Sequence, residues 1–307
     1  MTFWNVICVT VTLTICICVM LFPFIVPKLY TATMKLVMCH MTCEVLIYVF
    51  RTIAFAWGDL PMPLCKTYAL TMQYLRLAGF FWINVMCIDM TSKFSGKMRA
   101  PSRGLRQPLC TKRFAYYSLH AWGWPAVIVA VTAALDLTPD LADHPLRPYI
   151  GDITCSFHSL RTALLYYYGV VILLVLVNIG LFMVTTISIY RTKQQVLDII
   201  SAMDNFQSDI QIANREDQRS LVMYLKIFCL MGLTYVTEII AWYDGSAFTS
   251  ILMDVNSILL SIFVFLLFCC KPQVMRNRLE ELKQSWRSCC AARKMARVRE
   301  KQDRLSC

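Results

Sequence analysis

Residues 163–189 read ALLYYYGVVILLVLVNIGLFMVTTISI, an apolar run that contains no charged side chain. A helix needs roughly 20 residues to cross about 30 Å of hydrocarbon, and this run is longer than that. Backbone amides cannot stay unpaired in lipid, so a lipid-embedded run of this length must be helical. The stretch therefore predicts a helix that spans a membrane.

Six more apolar stretches of comparable length occur along the chain. They lie at approximately Phe3–Val26, Leu36–Trp57, Tyr68–Met90, Phe114–Leu135, Leu221–Trp242 and Ile251–Cys270. A hydrophobic content of 58% and a mean hydropathy of +0.55 are too high for a soluble domain of 307 residues. The sequence predicts an all-α fold, with a seven-transmembrane helix bundle over residues 1–271. A short amphipathic cytosolic helix and a basic tail are predicted over residues 272–307.

The net charge of +11 is distributed unevenly between the connections. The connection from Thr91 to Arg113 carries basic side chains and no acidic one: Lys93, Lys97, Arg99, Arg103, Arg106, Lys112 and Arg113. The connection from Asp136 to Thr162, on the opposite side, holds more acidic than basic residues. This positive-inside bias predicts an extracellular N-terminus and a cytosolic tail. Because it explains the basic excess, no nucleic-acid partner is predicted.

The N-terminus leads directly from Met1 to Asn5 into the first apolar stretch, without a basic region before it. That stretch is too long for the apolar region of a cleaved signal peptide. We therefore expect it to act as a signal anchor that stays in the membrane.

Two of the fifteen cysteines stand apart from the others. An odd count excludes a complete disulfide framework, and most of the cysteines lie inside predicted helices, where they pack as small apolar residues. Cys65 lies at the predicted extracellular start of the third helix, and Cys155 lies in the long extracellular loop after the fourth. Both face an oxidising compartment. The placement predicts a disulfide that tethers this loop over the mouth of the bundle.

The tail begins with an amphipathic pattern. One helical face is apolar, with Met275, Leu279, Leu282 and Trp286, and the other is basic, with Arg276, Lys283 and Arg287. This predicts a helix that lies along the cytosolic leaflet. Cys289 and Cys290 follow it and are predicted palmitoylation sites. The alternative is a polar tail with two free thiols.

Ionisable side chains within the apolar stretches are costly in lipid and so indicate a site. The second helix places His40, Glu44, Tyr48 and Arg51 on one face, and the third does the same with Gln73, Arg76, Phe80 and Asn84. Arg51, Arg76, Glu238 and Asp254 are predicted to line a polar cavity in the extracellular half. The alternative is that such groups pair internally and hold the helices in register.

The residues available for chemistry argue against an enzyme. Of the four histidines, His144 and His158 lie in a loop, so the helices cannot assemble a histidine-rich metal site. The seventh stretch has no lysine before Lys271, which excludes a retinal Schiff base of the usual kind. No glycine-rich phosphate loop or Ser–His–Asp arrangement is visible. No enzymatic activity, cofactor or metal is predicted, which leaves a receptor or, secondarily, a channel or transporter.

Motifs in several helices resemble one receptor family. Residues 121–125, AWGWP, resemble the Gly-Trp-Gly-x-Pro signature of secretin-type (class B) G-protein-coupled receptors, with alanine for the first glycine. Residues 80–89, FFWINVMCID, closely resemble the Methuselah-like insect branch, and residues 166–169 and 231–234 are also similar to it. The resemblance covers roughly Phe3 to Arg278. Its principal residues are Trp82, Asn84, Asp89, Trp122, Gly123, Pro125 and Gly232.

The resemblance implies a multi-pass receptor of the plasma membrane that passes an extracellular signal, expected to be a peptide, to heterotrimeric G proteins. Methuselah-like receptors carry a disulfide-bonded ectodomain ahead of the first helix, and this chain shows none. An alternative is therefore a signalling-impaired partner that forms oligomers with full-length receptors. A channel-like or odorant-receptor-like membrane protein is a further alternative, and insect odorant receptors have the N-terminus inside.

The cytosolic side offers a predicted partner surface. Apolar residues recur at helical spacing after the fifth stretch, at Val196, Ile199, Ile200, Met203 and Phe206. This predicts that the fifth helix extends into the cytosol with an apolar stripe, which contacts either a G-protein alpha subunit or the sixth helix. The sixth stretch has no proline, so Gly232 is its predicted hinge for an outward shift.

Overall fold

The computed structural model describes residues 2–25, 32–58, 60–94, 111–138, 146–151, 155–157 and 159–202, with eight isolated positions between 240 and 262. All regular secondary structure in these residues is helical. The isolated positions, which fall within or beside the predicted sixth and seventh helices, are helical as well. Glu238, Asp254, Gly232, Cys289 and Cys290 lie outside the described residues, as does the whole predicted tail.

Five helices form the described part of the bundle. The first four are α1 (Thr2–Ile25), α2 (Ala32–Trp57), α3 (Met62–Phe94) and α4 (Thr111–Leu137). The fifth, α5, has three contiguous parts: an α-helical turn at Leu160–Ala163, a π-helical segment at Leu164–Tyr168 and a long α-helix at Gly169–Ala202. The first five predicted stretches are thus helical. The structure extends the third helix beyond both of its predicted ends, and it continues the fifth helix past its apolar stretch to Ala202.

Within the residues that the structure describes, three segments are long and apolar enough to cross a membrane: Met34–Trp57, Lys112–Leu137 and Leu160–Ser188. Val6–Leu21 is a shorter apolar helical segment. The outward faces of α4 and α5 are apolar, with exposed Leu119, Leu173, Leu176 and Met183. Such faces are stable against lipid tails and costly in water.

The contacts between helices fix their relative directions. Three contacts join α3 to α4: Lys66 with Asp136, Trp82 with Trp122, and Asp89 with Tyr117. In this series the residue numbers rise along α3 and fall along α4. They rise together along α3 and α5 in the contacts of Gln73 with Tyr166, Asn84 with Asn178 and Thr91 with Thr185. Hence α3 and α4 are antiparallel, and α3 and α5 are parallel. These are the directions that successive crossings of a membrane require.

Aromatic rings fill the interface between α3 and α4. Trp82 has no exposed surface, and its ring centroid lies 5.8 Å from that of Trp122 and 6.3 Å from that of Phe114. Tyr74 stacks on Trp122, with ring centroids 6.2 Å apart. The two tryptophans of the recognised motifs therefore contact each other, and they join α3 to α4 at mid-height.

Candidate functional site

A cavity of about 190 Å³ lies at the end of the bundle that carries the Cys65–Cys155 disulfide. Its walls include Tyr68, Met72, Gln73 and Arg76 of α3, Ile150 and Phe157 of the loop after α4, and Tyr167 and Tyr168 of α5. The volume exceeds the roughly 150 Å³ of a cavity that binds benzene. It is below the roughly 300–1,000 Å³ of sites for drug-sized ligands. The described part of the site thus accommodates one residue-sized group.

Residues 146–151 and 155–157, here called the lid, supply Ile150, Cys155, Ser156 and Phe157 to the wall of this cavity. The disulfide joins the lid to the start of α3, with 4.9 Å between the two Cα atoms, as the sequence predicts. Gly151 lies against the same end of α3, and a Cβ placed on it would lie 3.0 Å from Lys66 Cγ. Its φ of +82° also favours glycine. The lid is therefore held close to α3 by both a covalent bond and a tight backbone approach.

One buried carboxylate makes a second connection to the lid. Asp136, at the end of α4, is 3% exposed. Its Oδ2 lies 2.9 Å from Lys66 Nζ, and its Oδ1 accepts a hydrogen bond of 3.0 Å from the backbone N–H of Ile150. Hydrogen bonds to an ionised carboxylate are stronger than neutral ones. Asp136 consequently joins α4, α3 and the lid at one point.

Tyr166 makes the third connection, from the π-helical segment of α5. Its hydroxyl donates a hydrogen bond of 2.8 Å to the carbonyl of Leu146, in the lid. Its own carbonyl accepts a bond of 3.1 Å from Gln73 Nε2 on α3. The segment also brings Tyr167 and Tyr168 to the cavity wall. Single π turns of this kind are frequent at functional sites.

The π-helical segment depends on the glycine that follows it. The backbone N–H of Gly169 bonds to the carbonyl of Leu164, and a Cβ on Gly169 would lie 2.5 Å from that oxygen. We expect Gly169→Ala to destabilise the chain by about 1–3 kcal/mol, because the backbone must shift. Gly180 is the matched control, since a Cβ there meets no atom of the described residues within 4 Å.

Gly180→Ala should stabilise α5 by up to about 1 kcal/mol through helix propensity. The check is thermal unfolding of both purified variants in the same detergent or lipid. If the melting temperatures of the two variants shift equally and in the same direction, Gly169 has no special role in the π-helical segment.

The four predicted cavity residues have different positions. Arg76 lines the cavity. Arg51 lies half-buried on α2 and is not among the lining residues. Because Glu238 and Asp254 are outside the described residues, the structure neither assembles nor separates the predicted cluster. That these four residues line one polar cavity stays a prediction.

A polar network crosses the middle of the bundle. Asn84 Nδ2 donates a hydrogen bond of 2.8 Å to Asn178 Oδ1 on α5. His120 Nε2 on α4 lies 3.2 Å from Asn84 Oδ1 and donates to it in the tautomer that carries a proton there. Hydrogen bonds of this kind hold helices together in lipid, where hydrophobic burial gives little driving force between them.

A second network lies at the end of the bundle opposite the lid. Asp89 is buried, and its Oδ1 lies 3.3 Å from both Arg113 Nη2 and the Tyr117 hydroxyl. Arg113 Nε donates a hydrogen bond of 2.7 Å to that hydroxyl. The sequence indicated Asp89 only as a residue of the family motif. Together, the two networks and the tryptophan contact fix α3 against α4 and α5 along most of its length.

Sequence reasoning did not single out Asp136 or Asn178, and it noted Tyr166 only as part of a family motif. One signal was available for Asn178. Gln73, Asn84 and Thr91 are separated by 11 and 7 residues, whole numbers of helical turns to a good approximation, so they share one face of α3. All three hydrogen-bond to α5, and such a polar face predicts a polar face on its neighbour.

Comparison with known families now decides the assignment. The model of the 7 transmembrane receptor (Secretin family) matches residues 2–267. The chain belongs to the secretin family of seven-transmembrane receptors. It is therefore a membrane protein of a receptor family rather than of an enzyme family, as the sequence indicated.

The relatives of this secretin-family chain include Methuselah-type receptors. It is 28% identical over 216 residues to G-protein coupled receptor Mth2 of Drosophila simulans, with 68% of this chain and 38% of the relative covered. It is 29% identical over 257 residues to probable G-protein coupled receptor Mth-like 4 of Drosophila melanogaster, with 82% of this chain and 47% of the relative covered. It is 25% identical over 264 residues to G-protein coupled receptor Mth of Drosophila melanogaster, with 84% of this chain and 49% of the relative covered.

These matches confirm the Methuselah-like resemblance predicted from the helix motifs. The chain spans less than half the length of each of these relatives. What the whole relatives bind and activate is therefore a matter for proposal here.

Proposed function

We propose that this chain is the seven-helix signalling domain of a Methuselah-like G-protein-coupled receptor in the plasma membrane. A peptide ligand binds at the extracellular end, in the lidded cavity, and a heterotrimeric G protein binds at the cytosolic end. The observation that carries this proposal is the family match over residues 2–267, to which the cavity adds a site at one end of the bundle.

Two features support the orientation of the bundle. Disulfides persist in oxidising compartments, so the Cys65–Cys155 end is the extracellular one. The connection that carries seven basic residues between Thr91 and Arg113 joins the ends of α3 and α4 that lie away from the disulfide, and a basic connection is typical of the cytosolic side. With an extracellular N-terminus, seven crossings leave residues 272–307 in the cytosol. There the predicted short amphipathic helix lies along the leaflet, and Cys289 and Cys290, which follow it, are palmitoylated.

The contacts of α3 support a model in which some helices stay fixed during signalling and another helix moves. Because α3 is bonded to α4 and α5 at several levels, these three helices act as a fixed scaffold. The movement that transmits the signal then belongs to the sixth helix, which hinges near Gly232. Such rigid-body shifts of one helix against a packed core are a common switching mechanism.

The length of α5 supports a cytosolic partner surface. The helix continues from Tyr190 to Ala202, beyond the end of the apolar stretch, which adds about 20 Å at 1.5 Å per residue. Val196, Ile199 and Ile200 fall on this extension. An apolar helical stripe beside a basic connection suits the groove-and-helix contact that a G-protein alpha subunit makes.

The test is guanine-nucleotide exchange in membranes that contain this chain and one of a panel of Gα subunits. We expect exchange above that of membranes without the chain for at least one Gα class. Ile199→Asp should remove it while surface expression is unchanged, because a charge cannot enter an apolar contact.

The proposal is contradicted if the chain reaches the cell surface but increases nucleotide exchange on none of the Gα subunits in the panel. If exchange changes only when a full-length Methuselah-type receptor is co-expressed, the chain acts as a partner of such receptors rather than as a receptor on its own.

A further inference from the structure

The π-helical segment separates the first turn of α5 from the rest of that helix. Leu160–Ala163, here called the first turn, lies before it, and Gly169–Ala202 lies after it, and both are α-helical. The N–H of Gly169 bonds to the carbonyl of Leu164, five residues earlier, whereas an α-helix joins residues that are four apart. The segment therefore holds one residue more than an α-helix would hold in the same place.

Contacts from outside the helix favour this segment. The π conformation is rare in proteins, so the surrounding structure must stabilise it here. Tyr166, at its centre, donates a hydrogen bond of 2.8 Å to the carbonyl of Leu146 in the lid, and its own carbonyl accepts a bond of 3.1 Å from Gln73 Nε2. The flipped Gln73 amide would set two oxygens against each other, so the NH₂ group is the one that faces Tyr166. The lid and α3 thus both hold the segment through one residue.

The part of α5 after the segment has its own connections to α3. Asn178 Oδ1 accepts a hydrogen bond of 2.8 Å from Asn84, and the hydroxyls of Thr185 and Thr91 lie 2.9 Å apart. Neither contact involves the π-helical segment, so both can persist whichever conformation the segment adopts. The first turn has only four residues. A change in the segment therefore moves the first turn rather than the long part of α5.

We propose that the π-helical segment is a two-state element that couples the lid to the start of α5. While Tyr166 is bonded to both Leu146 and Gln73, the segment keeps its extra residue. When these contacts are released, the segment closes to an α-helix, and each residue of the first turn moves into the place of the residue after it. That movement is a rotation of about 100° with a shift of about 1.5 Å. The inference stands apart from the proposed function, because it concerns the lid and α5 and requires no G protein.

Gly169 is the residue that permits the π state. In that state a Cβ at this position would lie 2.5 Å from the carbonyl oxygen of Leu164, closer than Cβ atoms approach an oxygen in proteins. In the α state residue 168 bonds to that oxygen instead, and alanine is a better helix former than glycine. Gly169→Ala therefore disfavours the π state and favours the α state.

Position 161 reports which state is present. Arg161 is exposed, whereas Thr162 is 4% exposed, so closing of the segment carries the side chain at position 161 from the surface to the interior. The probe is p-benzoylphenylalanine at position 161 of the full chain in lipid nanodiscs. After irradiation, mass spectrometry measures the ratio of cross-links within the chain to cross-links with lipid. We expect lipid cross-links to predominate in the chain that carries the probe and no other change.

Two variants should shift this ratio, and one should not. Gln73→Met removes the donor to the carbonyl of Tyr166 at nearly constant side-chain length. It should raise the ratio about fivefold, the effect of losing one hydrogen bond. Gly169→Ala should raise the ratio at least as much. Gly180→Ala is the control, because it lies in the regular part of α5 and its Cβ meets no described atom within 4 Å, so the ratio should stay unchanged.

Tyr166→Phe keeps the test decisive if Gln73→Met or Gly169→Ala fails to fold. It removes only the hydroxyl that bonds to Leu146, and it should raise the ratio about as much as Gln73→Met. An unchanged ratio in Tyr166→Phe would overturn the proposal, because the lid would then not be coupled to the segment. Cross-links that lie mostly within the chain before any second substitution would overturn it as well. Since no G protein is present, neither result depends on nucleotide exchange.

Discussion

Trp82→Ala will lower the melting temperature of the purified chain by roughly 6–12 °C, which corresponds to about 3 kcal/mol for a domain of this size. Trp82 has no exposed surface and contacts both Trp122 and Phe114 of α4. Lipid tails are as apolar as a protein core, so the cost comes from the lost packing and the cavity rather than from hydrophobic transfer. We therefore place the loss of stability at the low end of the range for alanine substitutions of large core residues.

Two controls isolate this packing effect. Trp124, two residues from Trp122 in α4, is 55% exposed on the outward face, so Trp124→Ala should change the melting temperature by at most a few degrees. Trp82→Phe keeps a ring in the interface and removes an N–H that has no described partner, so it should be much milder than alanine. Equal losses for Trp82→Ala and Trp124→Ala would contradict the described packing.

Asp136→Ala will release the lid without breaking the disulfide. The substitution removes the carboxylate that holds both Lys66 and the N–H of Ile150, and breaking a buried pair of this kind costs about 3 kcal/mol. Hydrogen exchange of the peptide that covers residues 146–151 should become fast, because Ile150 loses its acceptor. Mass spectrometry under non-reducing conditions should still find Cys65 bonded to Cys155.

The two bonds of Asp136 can be separated by further variants. Asp136→Asn keeps an oxygen for the Ile150 N–H and weakens the pair with Lys66, so slow exchange should be largely retained. Lys66→Met removes the ion pair alone and should behave similarly. If Asp136→Ala leaves the exchange of the lid as slow as in the unmodified chain, Asp136 does not hold the lid.

The helices could be predicted from the sequence because lipid imposes a single requirement on the backbone. Every amide must be paired within its own segment, so an apolar stretch of sufficient length has one available structure. The predicted ends were less accurate for α3. It begins at Met62 rather than Tyr68 because Lys66 interrupts the apolar pattern but not the helix, and its ammonium group is neutralised by Asp136.

The lid and its connections could be predicted only in part. The disulfide followed from the compartment in which its cysteines lie. The contacts of Asp136 and Tyr166 did not, because they depend on the rotation of α4 and α5 about their axes, which residue spacing alone does not fix. The π-helical segment rotates the start of α5 relative to the rest of the helix. Its sequence signal, three tyrosines before Gly169, was noted as a family motif without its structural reason.

The most direct test of the account is the sidedness of the two ends of the chain in living cells. An epitope tag ahead of Met1 and another after Cys307 are stained in separate cell lines, before and after the plasma membrane is made permeable. The account predicts that the first tag is stained on intact cells and the second only after permeabilisation. Staining of both tags under the same condition would mean an even number of crossings, and the seven-helix receptor would be wrong.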